Sequence, residues 1–231
     1  MKSELQTGIP GSGGSRGPGR TQSVRTFVFD CGRVITFDQD REIASRMADI
    51  VGAPPEDFPR AYAADRGEYD RGTLDAAGYW GMVAARFGRT LGKDDLGLLV
   101  ELDMDSWFTI NPETVAIIRA LKEKGRRLLI LSNMNVEGRE RMYGSARILD
   151  GEDWLGLFDD VLLSCDLGLI KPEPEIYRAC IARSGAEPGE CLFIDDVLAN
   201  IEGARACGMR AVHFTDARLL ASVLADEYGE L

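Results

Sequence analysis

One histidine, His213, is all the imidazole this 231-residue chain holds. That scarcity works against histidine-centred triads and histidine-rich metal sites, which need imidazole as base or ligand. His213 lies in the apolar stretch A-V-H-F, where a satisfied core or strand-end role is expected. The five cysteines (Cys31, Cys165, Cys180, Cys191 and Cys207) are odd in number and have no CxxC or Cys/His spacing. That argues against a zinc or disulfide framework, and they read as reduced thiols of a cytoplasmic protein.

Basic residues are also in deficit, 27 Lys and Arg against 38 Asp and Glu, for a net charge of -11. A surface that neutralises a phosphate backbone needs the opposite balance, so no nucleic-acid partner is expected. No apolar run reaches the ~18 residues of a membrane helix, so no membrane partner is expected either. Residues 1–22 are rich in Gly, Ser and Pro and lack the apolar core of a signal peptide. Such a tail has too little to bury to offset its ordering entropy, and it reads as disordered. No pattern in the chain fixes an oligomeric state.

What the chain does have is a short apolar strand that ends in a carboxylate. Val24 to Ile35 reads V-R-T-F-V-F-D-C-G-R-V-I, a Val/Phe-rich run delivering Asp30 and then a glycine turn. Buried parallel strands present polar residues at their carboxyl edge in this way. Three later segments match it: L-L-I-L-S-N ending at Asn133, G-L-I-K-P around Lys171, and L-F-I-D-D ending at Asp196. Asp30, Ser132 and the Asp195–Asp196 pair would converge along one sheet edge.

Between the first strand and its partners, helical periodicity dominates. Ile43, Met47, Ile50 and Val51 recur at helix spacing, and the segments Asp57–Asp65, Thr73–Phe87 and Lys93–Trp107 read as helices, with Thr73 as an N-cap. The charged run Asp65 to Arg71 reads as a solvated loop that faces outward or toward a substrate, and Trp80 and Trp107 as packing. From Asn111 on, helices and strands alternate: Pro112 to Lys124 helix, Arg127 to Leu131 strand, Val136 to Ala146 helix, Val161 to Ser164 strand. Glu173 to Ser184 helix, Cys191 to Asp195 strand, Leu198 to Ala206 helix, Arg210 to Phe214 strand and Ala217 to Tyr228 helix complete the series. The fold class is therefore α/β, a doubly wound parallel sheet with an inserted helical cap. The expected boundaries are 23–37 plus 109–231 for the core domain and 38–108 for the cap domain.

The residue types suggest one chemistry. A carboxylate attacking a phosphoryl group meets like charge, so it needs a divalent cation and a fixed ammonium beside it. Asp195 and Asp196 offer hard oxygen ligands suited to Mg²⁺, Lys171 offers the ammonium, and Ser132 and Asn133 offer donors for phosphoryl oxygens. Two blander roles stay open: Asp195 as a cap for the helix near Leu198, and Asn200 as a stabiliser of that helix start. Cys31 reads as packing.

Taken together, F-D-C-G-R-V, S-N, the lysine of G-L-I-K-P-E-P-E-I-Y and F-I-D-D-V-L-A-N-I-E-G-A resemble the four motifs of the haloacid dehalogenase superfamily, over Val24 to about Phe214. The resemblance implies Asp30 as nucleophile, Lys171 as its catalytic partner and Mg²⁺ held by Asp30, the Gly32 carbonyl and Asp196, with Asp195 alongside. It implies Ser132, Asn133 and Lys171 as phosphate-binding groups and a small phosphorylated metabolite, most simply a sugar phosphate, as substrate. One position departs. Phosphatases of the family usually carry a second aspartate two residues after the nucleophile, where this chain has Gly32. The D-x-G-x-V form is similar to members acting on α-D-glucose 1-phosphate, whose leaving group needs less help from an acid. Otherwise a cap carboxylate, Asp65, Glu68 or Asp70, would supply it. A 2-haloacid dehalogenase and a catalytically silent phosphate-binding protein are the competing readings.

Overall fold

Thr26–Phe29 (β1) is buried at every position, which a strand achieves only in the middle of a sheet covered on both faces. The computed structural model describes residues 23–231, so the expectation for residues 1–22 lies outside the described residues. After β1 come five helices: α1 (Arg41–Val51), α2 (Phe58–Ala64), α3 (Arg66–Arg71), α4 (Ala76–Ala85) and α5 (Lys93–Trp107). The chain then runs through α6 (Pro112–Glu123), β2 (Arg127–Ser132) and α7 (Val136–Tyr143) to a hairpin of two-residue strands, β3 (Ile148–Leu149) and β4 (Glu152–Asp153). It continues with β5 (Asp160–Leu163), α8 (Ser164–Leu167), α9 (Pro174–Ser184), β6 (Cys191–Asp195), α10 (Leu198–Ala206), β7 (Arg210–His213) and α11 (Ala217–Tyr228).

The main sheet has the order β5-β2-β1-β6-β7, and every pairing is parallel. Alternation along each strand divides the core. Phe27, Phe29, Leu128, Ile130, Leu192 and Ile194 face α6 and α11 through Ile118, Leu121, Leu220 and Leu224. Val28, Leu129, Leu131 and Phe193 face α9 and α10 through Ile176, Tyr177, Ile201 and Ala204. Helices thus cover both faces, as a doubly wound sheet requires. The hairpin of β3 and β4 has no counterpart in the sequence reading, its strands being too short to show a period.

Helices α1 to α5 bury their own apolar cluster, including Met47, Val51, Phe58, Tyr79, Trp80, Val83 and Leu99. The chain enters and leaves them through adjacent antiparallel backbone: Thr36 bridges Ile110, Phe37 N–H donates to Thr109 O at 2.8 Å, and Asn111 N–H donates to Ile35 O at 2.8 Å. Two local expectations are corrected here. The cap of α4 is Asp75, whose side chain accepts from Gly78 N–H at 2.7 Å, while the Thr73 hydroxyl turns back to Glu68. The run Asp65–Arg71 is not a solvated loop but contains α3, with Tyr69 and Asp70 buried, because Arg66 and Asp70 pair at i,i+4 against the cluster.

Candidate active site

Sheet register brings the motif residues together. Phe29 pairs with Ile130 on one side and Ile194 on the other, so the next positions are Asp30 and Asp195, with Ser132 ending β2. Asp30 N–H continues the ladder to Ile194 O at 2.9 Å, which fixes where its carboxylate leaves the sheet edge. Asp30 Oδ1 accepts from Cys31 N–H at 2.7 Å and lies 2.8 Å from Lys171 Nζ. Oδ2 has no donor among the described residues.

Lys171 is buried and bridges two acids, with Nζ also 2.7 Å from Asp195 Oδ2. Burial disfavours its ammonium, but Asp30 and Asp195 more than reverse that and hold its pKa above the usual lysine value. Asp195 is fully enclosed. It accepts from Asn200 Nδ2 at 3.0 and 3.1 Å and from Val197 N–H at 2.8 Å, as well as from Lys171. Its oxygens are therefore committed to organising the start of α10 and Lys171, and Asn200 serves that structure. Asn133 is likewise occupied: Lys171 N–H donates to its Oδ1 at 2.8 Å and its Nδ2 donates to Lys171 O at 3.0 Å. The ladder also carries His213 to a strand end, exposed, with Nε2 2.9 Å from the Asp196 carbonyl.

Negative charge exceeds positive charge at this edge. Asp30, Asp195 and Asp196 bring oxygens within 4.8 Å of one another around a single ammonium. Burial, with Asp195 and Asp196 nearby, pushes the Asp30 carboxyl up to about 7 despite Lys171. Burial also raises Asp196, opposed by Arg33, whose guanidinium is 3.0 Å from Asp196 Oδ2. That contact supplies charge but not alignment, so Asp196 Oδ2 is buried without a hydrogen bond. An orphaned carboxylate oxygen beside two further acids suits a hard divalent cation.

Above this edge lies a cavity of about 290 Å³. Its floor is formed by Asp30, Ser132, Lys171 and Asp196, and Met104, Trp107, Phe108 and Met134 make an apolar wall. Trp107, expected only to pack, lines this wall, whereas Trp80 is wholly buried as expected. Arg66 and Asp70 close the helical side. Arg66 donates from Nε to Asp70 Oδ1 at 2.9 Å and from Nη1 to Asp103 Oδ2 at 2.8 Å and to the Tyr62 hydroxyl. Tyr62 also accepts from Trp107 Nε1 at 2.9 Å and donates to Asp103. Asp70 is tied to the sheet side as well, through Asn135 Nδ2 at 3.3 Å and, by its carbonyl, through Ser164. A second tie is the two-pronged pair of Arg71 with Glu173, at 2.7 and 2.9 Å.

Arg66, Asn135 and the lining role of Trp107 were not found by sequence reasoning; of the three cap carboxylates it offered as an acid, Asp65, Glu68 and Asp70, only Asp70 lines the cavity. The i,i+4 spacing of Arg66 and Asp70 was the available signal, masked by the surrounding charge. Cys31 packs in the core as expected, and burial pushes its thiol up to about 12. All five cysteines are free, and no helix among the described residues is long and apolar enough to cross a membrane.

Residues 24–208 match the family model described as haloacid dehalogenase-like hydrolase. The chain belongs to that family. The hydrolase is 29% identical over 196 residues to Phosphatase MT3486 of Mycobacterium tuberculosis (strain CDC 1551 / Oshkosh), covering 82% of this chain and 86% of that one. It is 32% identical over 108 residues to the bifunctional epoxide hydrolase 2 of Rattus norvegicus, which spans 47% of the hydrolase but only 19% of the relative. Its fold is similar to a HAD family enzyme of Bacteroides thetaiotaomicron solved in complex with magnesium and inorganic phosphate. That likeness has a TM-score of 0.69 at 20% identity, over 84% of this chain and 95% of the other.

Proposed function

We propose that this hydrolase is a Mg²⁺-dependent phosphatase of small phosphate monoesters, working through an aspartyl-phosphate on Asp30. The observation that carries it is the state of Asp30. Lys171 and Cys31 hold Oδ1, while Oδ2 has no donor and the residue lines the cavity floor, an arrangement that orients a nucleophile. The relative named as a phosphatase and the fold neighbour holding magnesium and phosphate support the same reading.

Each side chain takes one task in this reading. Asp30 Oδ2 attacks phosphorus, while Lys171 neutralises charge on the attacking carboxylate and the phosphoryl oxygens. Ser132 donates to an equatorial oxygen, and Asn133 sets the Lys171 backbone. Asp195 aims the Lys171 ammonium and holds the Val197 N–H and the Asn200 amide at the entry to α10. Asp30, the Gly32 carbonyl and Asp196 would hold Mg²⁺, with Asp195 beside them. When bound, the ion supplies positive charge for the phosphoryl group and the surrounding carboxylates. Residues 38–108 act as a cap domain that shuts water out of the cavity.

For the leaving group, the wall matters. The Tyr62 hydroxyl, the Trp107 indole N–H and Nε and Nη1 of Arg66 are engaged with one another and with Asp70 and Asp103, which leaves the Met104, Trp107, Phe108 and Met134 faces as the main surface for a leaving group. A compact ester with one apolar face suits it, and a monosaccharide phosphate laid against the Trp107 ring meets that description. A dehalogenase has no use for three clustered carboxylates, which favours the phosphatase. The test is turnover of sugar phosphates, aryl phosphates and phospho-acids with and without Mg²⁺, beside Asp30→Asn. Mg²⁺-dependent phosphate release that the variant loses is expected. Phosphate binding with no turnover of any ester would replace the enzyme with a binding protein.

A further inference from the structure

We propose that Asp70, reaching in from α3, is the acid that protonates the leaving alcohol and the base that later activates water, the task left vacant by Gly32. The inference rests on the phosphatase reading above. Among the described residues, the carboxylates lining the cavity are Asp30, Asp70 and Asp196. Asp30 and Asp196 sit at the phosphoryl end with Lys171 and Arg33, so neither is placed over a departing oxygen. Asp65 is paired with Arg86, and Glu68 with Thr73 and Arg71; neither lines the cavity. Asp103 is fully buried with one oxygen on Tyr62 and the other on Arg66. The Tyr62 hydroxyl is occupied by three partners, and the Cys31 thiol is pushed up to about 12.

Asp70 has the arrangement an acid needs. Both of its donors, Arg66 Nε and Asn135 Nδ2, converge on Oδ1. Oδ2 takes no hydrogen bond among the described residues and is not enclosed, so a proton placed there points away from both donors. Burial, reinforced by Asp103 and opposed by Arg66, raises its pKa above the ordinary carboxylate value. Two elements hold the group from opposite sides: Arg66 from the helices and Asn135, itself the N-cap of α7, from the loop after β2. The acid is therefore in place only when α3 is docked on the sheet, which couples closure of the cap to proton transfer.

The steps balance. As the bond from Asp30 Oδ2 to phosphorus forms, the ester P–O bond breaks. Its electron pair stays on the alcohol oxygen, which takes the proton from Asp70 Oδ2. Water then attacks the phosphorus of the aspartyl-phosphate and gives its proton to Asp70, the P–O bond to Asp30 breaks, and alcohol and inorganic phosphate leave.

Asp70→Asn keeps the shape and the Oδ1 acceptor but holds no proton to give. With Mg²⁺ present, kcat/KM reports events through departure of the alcohol, so the acid's effect depends on the leaving group. On a primary alkyl phosphate the variant should lose about 100-fold or more, and on p-nitrophenyl phosphate no more than about threefold. Loss of the base should also produce a burst of nitrophenolate, whose amplitude counts folded, competent sites. Equal losses on both esters after normalising to that amplitude, or no loss on either, would overturn the assignment. A wild-type protein inactive on every ester would instead sink the phosphatase reading, and this inference with it.

Discussion

Asn133 holds Lys171, 38 residues away, by both backbone groups, accepting its N–H at 2.8 Å and donating to its carbonyl at 3.0 Å. Asn133, a candidate phosphate donor by sequence, thus has its side chain engaged in fixing the loop that carries the ammonium. Asn133→Ala should leave the fold intact and lower kcat about 10- to 100-fold, as loss of a supporting hydrogen bond to a reactive group does elsewhere. Steady-state kinetics on p-nitrophenyl phosphate checks this, and an unchanged kcat would show that Pro172 alone holds the loop.

Lys171→Met should cost more than activity. It removes the ammonium between Asp30 and Asp195, leaving uncompensated buried carboxylates, and breaking such a pair costs about 3–5 kcal/mol. Urea unfolding at neutral pH without divalent cation should show that loss, and added Mg²⁺ should recover part of it by binding the folded state. A variant as stable as the wild type would mean that water already screens the site.

Gly32→Asp should be accepted by the backbone. No positive φ constrains Gly32, and an added Cβ would meet nothing nearer than Trp107 Cζ3 at 3.9 Å. The glycine is therefore not demanded by conformation, and a carboxyl there sits beside the phosphoryl site. The expected outcome is a gain on poor leaving groups of about tenfold or more in kcat/KM when combined with Asp70→Asn, since a second acid restores general acid help. Failure of the double variant to regain any alkyl phosphate activity would place that carboxyl out of reach.

The raised pKa of Asp70 has a signature in stability. Its carboxyl is held above the ordinary value of 3.8, by burial first and by Asp103, against Arg66, with Asn135, Tyr79 and Cys165 also nearby. The folded protein keeps a proton that the unfolded chain has released, so stability from this group is complete below pH 3.8 and lost as pH rises through the folded value. Asp70→Asn lacks that loss. The stability difference between variant and wild type, measured by urea unfolding from pH 4 to pH 8, should move in favour of the variant as pH rises. A difference that stays constant across that range would mean Asp70 is ionised throughout.

How much was legible depended on how local each signal was. The buried strands at Phe27, Leu129 and Phe193 announced themselves as apolar runs, because a strand covered on both faces cannot afford polar side chains. Asp30, Ser132, Asp195 and Asp196 were visible because each closes or directly follows such a run, and Lys171 because it is locked between Ile170 and Pro172. The α/β order, the sheet edge and the acids and ammonium along it are thus written in local residue patterns.

Which of those groups remain free is set by contacts between distant parts of the chain. Asp195 and Asn133 have the same chemistry as good ligands, but Lys171, Asn200 and Val197 consume their oxygens and amide through contacts that no spacing encodes. The same holds for Asp70, indistinguishable from its charged neighbours in the run Asp65 to Arg71. Its contacts with Asn135, 65 residues on, and with Ser164, 94 residues on, bury it at the cavity. A side chain's role there follows from which partner reaches it first in space, and that is set by packing between the helices and the sheet, not by the order of residues along the chain.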